Sequence, residues 1–356
     1  MIEILKIIYI FSIFLIFISS PLNIFNKSDK QINISFLNYN LIINFNILLI
    51  LSLINIPIKN YQLIYLLILI LFFSYSLSIS KLQLKDLKKM NFINFLIFYF
   101  SFIVLAISVS SNINLGWDAK YFYYIKSLFF VEGLGLKELG NFEHNKWHPH
   151  LGSYIWAFYM SLPFIELEYF GRLSYLFIFC FSIYYITRLD VGKNFFVLLY
   201  LSLVIILYNY ERFSGLQEII LFSFLTIASK SLYELNFKKN LTDLIMLVLI
   251  ANLLLWIKAE GIIFGFTIIL IMLFNKKIFL KEKLIIFFSF IIIISFKYYV
   301  YSFYNFETSA QPYNFKEFFL FSLENIFYRL EKIIIYLGYY SLKNPIFLLG
   351  TILLFI

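Results

Sequence analysis

The sequence predicts an all-α fold, a polytopic transmembrane helical bundle with juxtamembrane helices in an outer loop, and three observations point there. Hydrophobic residues make up 62% of the 356 and charged residues only 14%, against about 25% charged in an ordinary soluble domain. Apolar runs near or above the roughly 18–20 residues needed to cross a ~30 Å hydrocarbon core recur along the whole length. Lys and Arg collect in short clusters between those runs, which is the pattern of a topology signal. The same clustering assigns the net charge of +9 to orientation and argues against a nucleic-acid partner. A water-soluble fold is excluded, and the lipid bilayer is the first partner implied.

Taken in order, the run at 4–20 lacks a small-residue cleavage site and is followed by more spans, so it reads as a retained helix and not as a signal peptide. Runs at 41–56, 61–80 and 92–111 read as spanning helices. The apolar pattern then stops from 112 to 150, the longest polar segment. Further spans are expected at 172–187, 195–208, 217–232, 241–257, 262–274 and 284–303. Several are short, which a thin bilayer or burial in a bundle tolerates. The abundant Phe and Tyr are expected at lipid-facing positions, and Cys180, inside an apolar run, has no intrachain disulfide partner.

Orientation follows from the positive-inside rule. Lys81, Lys85, Lys88 and Lys89, then Lys230, Lys238 and Lys239, then Lys276, Lys277, Lys281 and Lys283 form three cytoplasmic clusters, with Arg188 and Lys193 a weaker fourth. The segment 112–150 is then outside, as are 209–216 and the break at 258–261. A crossing at 151–165 would spoil that alternation. The stretch is therefore expected to lie on the outer surface, with Trp156 and Tyr159 at headgroup level. Beyond 304 the sequence reads as an outer loop, an interfacial helix at 316–332 and a final span. Residues 345–356 would rise only about 18 Å, so that span is truncated or begins near Ile333.

Three polar constellations fall on the same, outer side. The first is the loop that opens with Gly116-Trp117-Asp118-Ala119-Lys120-Tyr121, continues as a short surface helix at 121–131, and closes with His144-Asn145-Lys146-Trp147-His148-Pro149-His150-Leu151. Glu211, Arg212 and Glu218 form the second, at the start of a span. Lys258-Ala259-Glu260-Gly261 is the third, two charges and a glycine between apolar halves. An ionisable group at a helix centre costs about 2.5–3.5 kcal/mol on insertion scales, so such residues are usually paired or functional.

The order of these motifs resembles the GT-C superfamily of membrane glycosyltransferases, in the branch of the protein O-mannosyltransferases and lipid A aminoarabinose transferases. An acidic residue (Asp118) follows a span, then come a surface helix, His148-Pro149-His150-Leu151, the Arg172-Leu173-Ser174 start of the next span, Glu218 two crossings later, and Lys258-Ala259-Glu260-Gly261 between short helices. The resemblance covers 91–303 and divides the chain into extra N-terminal helices at 1–90, that catalytic module with its outer loop at 112–150, and the remainder at 304–356.

What the resemblance implies is transfer of a sugar, with inversion, from a polyprenyl-phosphate-linked donor to a lipid, glycan or protein acceptor. The setting would be the outer, periplasmic face of a bacterial inner membrane, as part of cell-envelope chemistry. Asp118 matches the catalytic acid position, and a carboxylate there can take the acceptor hydroxyl's proton. Lys258, Arg212 and His148 are candidates for the donor phosphate, where cations stabilise developing charge. Glu218 matches the second acidic position, where it would bind acceptor hydroxyls or orient Arg212, and Glu260 would fix Lys258.

The sequence departs from the family pattern at Ala119, where many members carry a second acid, and at His150, where a second proline is common. The missing acid argues against a two-carboxylate metal site. No cofactor is expected, the alternative being a divalent ion held by His148 and His150 with Asp118 or Glu218.

Blander readings stand beside these. Lys258 and Glu260 also suit a structural ion pair at a helix break, Arg212 and Glu211 a surface pair worth under ~1 kcal/mol, and the histidines an interfacial cluster beside Trp147. Two other functions share the features: a secondary transporter or flippase, which builds sites at broken helices, and a polysaccharide polymerase or ligase. A transporter would concentrate polarity near the midplane and show internal repeats, whereas the polar groups here collect at one end.

Overall fold

The computed structural model describes residues 2–20, 34–79, 92–141, 148–187, 194–237 and 239–306, together with 331 and 335. The chain falls into two units, Met1–Phe306 and Glu307–Ile356. In the second unit the described residues are Glu331 and Ile335, both helical and exposed. The expected interfacial helix and final span otherwise lie outside the described residues, as do Lys81, Lys85, Lys88, Lys89, Arg188, Lys193 and Lys238.

The first unit is all-helical among the described residues. In chain order it contains α1 (Ile2–Ser19), α2 (Ile34–Leu53), α3 (Ile58–Ile79), α4 (Phe92–Ser111), α5 (Tyr124–Val131), α6 (Leu136–Gly140) and α7 (Leu151–Met160). It continues with α8 (Glu168–Ile186), α9 (Asn194–Leu207), α10 (Glu218–Leu235), α11 (Leu241–Ile257), α12 (Gly261–Phe274) and α13 (Leu280–Phe303). Six helices, α1 to α4, α8 and α13, are long and apolar enough to cross a membrane, as an integral membrane protein requires. Helices α9, α11 and α12 are apolar but shorter, with 14, 17 and 14 residues, and rise about 21, 26 and 21 Å.

Long-range contacts show which helix ends share a side. At one end the α2–α3 turn receives the Lys137 amide on Asn55 Oδ1 at 3.2 Å, and Glu218 at the start of α10 meets Lys258 after α11. At the other, Lys239 pairs with Glu282 at 2.6 Å, and Lys277 donates to the Asn236 carbonyl. The lysine-bearing loops before α11 and before α13 thus gather at the end opposite the loops that carry Asp118, Glu218 and Lys258.

Polar side chains bind the N-terminal helices to the bundle. Asn40 and Asn44, one turn apart on α2, donate to the carbonyls of Ile18 (2.8 Å) and Phe17 (2.5 Å) on α1 and of Ser20 (2.9 Å) just after it. On the same helix Asn46 accepts from Asn252 of α11 at 2.9 Å. Without water to compete, such bonds hold helices together where apolar faces alone give no preference over lipid. Helix α2 accordingly begins at Ile34, earlier than the apolar run at 41 suggests, because its asparagines are buried.

Phe and Tyr line both the outside of the bundle and its interior: Phe266, Phe287, Phe288, Tyr298 and Tyr299 are exposed, as expected of lipid-facing positions, whereas Phe11, Phe14, Phe17, Phe102 and Phe177 are buried, with the Phe14 and Phe177 rings stacked at 4.6 Å. The buried rings form the seam where α1, α4 and α8 meet, since aromatic rings fill wide interhelical gaps and gain from one another's edges. One expectation is corrected: the stretch after His150 does not lie on a surface. Helix α7 has ten residues, too short to cross, and every one is buried. Trp156 and Tyr159 sit inside the bundle, at 0% and 1% exposure, because glycine clears space for the indole: a Cβ on Gly171 would lie 1.8 Å from Trp156 Cδ1. The indole N–H is satisfied by the Glu168 carbonyl at 3.1 Å.

Candidate functional site

Three segments build the site, each held by a specific contact. The Gly116 amide donates to the Ser214 carbonyl at 3.0 Å, and a Cβ on Gly116 would meet Ser214 Oγ at 2.7 Å. Gly215, at φ +98°, presses against Ala119 so closely that its own Cβ would lie 2.9 Å from that of Ala119. A side chain is excluded from Gly215 by space and by the left-handed backbone. These contacts fix Asp118, which precedes a π-turn at Ala119–Tyr123, against the segment leading to Glu218.

The third segment is a hairpin. Helices α11 and α12 are joined by Lys258-Ala259-Glu260, and Gly261 opens α12 so near its partner that a Cβ there would lie 1.8 Å from the Leu254 carbonyl oxygen. What the sequence presents as a break between two apolar halves is a tight turn at the rim. Lys297, buried on α13, donates to the Leu255 carbonyl at 2.7 Å. The Gln217 amide, in the orientation that pairs both its ends, donates to the Ile257 carbonyl at 2.6 Å and accepts from the Ser153 amide at 3.0 Å. The backbone that presents Lys258 is therefore fixed from two sides.

Lys258 Nζ lies 2.5 Å from Glu218 Oε1 and 3.8 Å from Glu260 Oε1. The Lys258 side chain is mostly covered, at 17% exposure, whereas the Glu218 and Glu260 side chains are about half open, at 49% and 55%. Glu218 thus takes Lys258 as its partner and not Arg212, whose exposed guanidinium donates to the Leu207 carbonyl at 3.2 Å.

Asp118 enters this group through Tyr123. Burial raises the Tyr123 phenol above its ordinary value, and the carboxylates of Glu218, Asp118 and Glu260 raise it further, in that order. Three acids from three distant segments therefore act on one hydroxyl.

His148 borders the same group, its ring 4.9 Å from that of Phe122. Burial lowers its imidazole to about 4, with Lys126 and Lys258 adding to the effect. It is held neutral near pH 7, which leaves it a hydrogen-bonding role in place of a cationic one.

His150 faces elsewhere. It is 1% exposed, with Nε2 2.8 Å from Ser52 Oγ on α2 and its ring 5.5 Å from Trp256. His144, Lys146 and Trp147 lie outside the described residues. Among the described residues no group of three or more His, Cys, Asp or Glu side chains gathers as a metal site would require.

Sequence reading did not single out Tyr123, Lys126 or Gln217. Lys126 is 1% exposed and donates to the His148 carbonyl at 2.6 Å. Its signal was a lone cation in an otherwise apolar surface helix. Arg172 carries structural weight: it holds Glu168 at 2.7 Å and caps the carbonyls of Val109 (3.1 Å) and Asn112 (3.0 Å) at the end of α4. That guanidinium, placed where a helix C-terminus is partially negative, anchors the loop from which Asp118 emerges. A separate cleft of about 780 Å³ opens at the lysine-loop end between Ile186, Lys230, Glu234 and Asp243, and none of the candidate residues lines it. Compared with protein-family models, curated proteins and solved structures, the chain matches none.

Proposed function

We propose that the protein is an inverting glycosyltransferase that moves a sugar from a polyprenyl-phosphate-linked donor to an acceptor at the outer face of a membrane. The observation that carries this reading is the convergence of Asp118, Glu218, Lys258 and Glu260 at one rim of the bundle: Gly116 and Ala119, flanking Asp118, pack on Ser214 and Gly215 just before Glu218, and Lys258 lies between Glu218 and Glu260. A rim site suits a substrate whose tail stays in the bilayer while its headgroup reacts in water.

In the reaction, Asp118 accepts the proton of an acceptor hydroxyl as its oxygen bonds to the anomeric carbon. The bond from that carbon to the phosphate oxygen breaks on the opposite face, and its electron pair leaves with the polyprenyl phosphate. Lys258 stands ready for the charge that develops there. In the free protein Glu218 and Glu260 share this ammonium, so donor phosphate would replace a carboxylate partner without leaving a bare buried cation.

The test is Asp118→Asn, which keeps size and loses the base. In membranes supplied with a labelled polyprenyl-phosphate sugar, transfer should fall by about 10²-fold or more, with expression and insertion unchanged. Transfer at the unaltered rate would remove Asp118 from the mechanism.

A further inference from the structure

Trp117, immediately before Asp118, is 67% exposed although its side chain is large and mainly apolar. Its ring lies 5.3 Å from Tyr121, tilted at 48°, and 5.3 Å from Phe122, edge-on at 83°. Tyr121 is also open, at 47% exposure, and Lys120 Nζ sits 5.6 Å from its ring centroid. Phe122 in turn contacts His148. The indole is therefore braced along one side by two rings and free on the other, one residue from the proposed base. Its backbone is fixed by the bonds of Gly116 to Ser214 and of Lys120 to Gly116 (2.8 Å).

We propose that Trp117 and Tyr121 form a stacking platform for the ring of the acceptor, and that the acceptor is itself a carbohydrate. This rests on the glycosyl-transfer reading of the same site. A pyranose has one face lined with C–H groups and an edge of hydroxyls. An exposed aromatic face beside open carboxylates matches both halves: the ring face lies on Trp117, and the hydroxyls reach Asp118 and the half-exposed Glu218. A serine or threonine side chain offers no flat apolar face to cover the indole. A simple headgroup-level anchor for the bilayer would need no adjacent acids and no brace from Tyr121 and Phe122.

The experiment compares Trp117→Leu, which keeps apolar bulk, with Trp117→Tyr, which keeps a ring. In the transfer assay with a glycan acceptor, Trp117→Leu should raise the acceptor KM by about tenfold and leave the donor KM unchanged, and Trp117→Tyr should recover most of the loss. Separately, saturation-transfer NMR in a detergent without a sugar headgroup would follow binding of methyl pyranosides and maltotriose to the wild-type protein and both variants. A sugar signal lost in the leucine variant and restored in the tyrosine variant supports the platform. It does so even where no transfer is detected, in which case only the transfer reading fails. Acceptor KM within twofold of wild type in the leucine variant, or no sugar signal that depends on Trp117, overturns it. Equal shifts in donor and acceptor KM would assign Trp117 to bilayer anchoring and overturn it as well.

Discussion

Ser52 has one hydroxyl proton and gives it to the Leu49 carbonyl at 2.6 Å, and that choice sets the state of His150. Since Ser52 Oγ is left only as an acceptor, His150 Nε2 must be the donor across their 2.8 Å contact. Nδ1 then carries a buried lone pair with no partner among the described residues. Protonating it would place a cation in a dry site, and burial lowers the imidazole to about 3, with Lys126 and Lys297 contributing. An unfolded histidine titrates near 6.5, so between about 3 and 6.5 the unfolded chain binds more protons than the folded one. Stability therefore rises with pH across that window and is lost as pH falls through it, by at most about 1.4 kcal/mol per pH unit. The thermal midpoint in detergent should accordingly drop between pH 7 and pH 4.5. His150→Gln, which retains a donor for Ser52 and does not titrate, should flatten that limb. An unchanged slope in the variant would place the acid sensitivity in other groups. The sequence offered His150 as a candidate substrate or metal contact beside His148, and its partner stayed hidden because nothing in the spacing announces that Ser52 lies against it.

Helices are where the sequence was most readable, and the exceptions share a cause. Apolar runs located α1, α3, α4 and α8 to α13 because lipid and protein interior both demand them. The start of α2 was hidden because Asn38 and Asn40 are polar by composition yet buried by position, which for Asn40 only its partner on α1 reveals. Helix α7, expected from the charge pattern not to cross, has only ten residues, and its burial depends on Gly152 and Gly171, whose missing side chains make room for Gln217 and Trp156. Hairpin geometry decides whether α11 and α12 present Lys258 correctly. Gly261→Ala would drive a methyl into the Leu254 carbonyl, a backbone atom that cannot step aside. The expected cost is about 1–3 kcal/mol, seen as a lower thermal midpoint. Gly265→Ala, one turn further along, meets the movable end of Leu255 at 2.8 Å and should cost less. A Gly261→Ala thermal midpoint within error of wild type would show that the turn tolerates a side chain and does not constrain Lys258.

Across the whole first unit, the two ends are chemically distinct, and this asymmetry ties fold to function. Asp118, Glu218, Glu260 and Lys258 collect at one end with the exposed Trp117; Lys239 and Lys277 collect at the other, locked to Glu282 and to the Asn236 carbonyl. The positive-inside rule predicts that the lysine-rich short loops face the cytoplasm; we propose that the candidate site lies on the opposite face, an orientation that can be measured. Asn141, exposed at the end of α6, neighbours the site end: a Cβ on the adjacent Gly140 would touch the Tyr304 carbonyl, just beyond α13. Asn236 follows α10 at the lysine end. Cys180 is the single native cysteine and is fully buried, so it gives little background toward a charged thiol reagent. Asn141→Cys should therefore react with a membrane-impermeant maleimide in intact cells, while Asn236→Cys should react only after the membrane is opened. Labelling of both from outside, or of Asn236→Cys alone, would reverse the assignment of faces and with it the supply of a periplasmic substrate to Asp118.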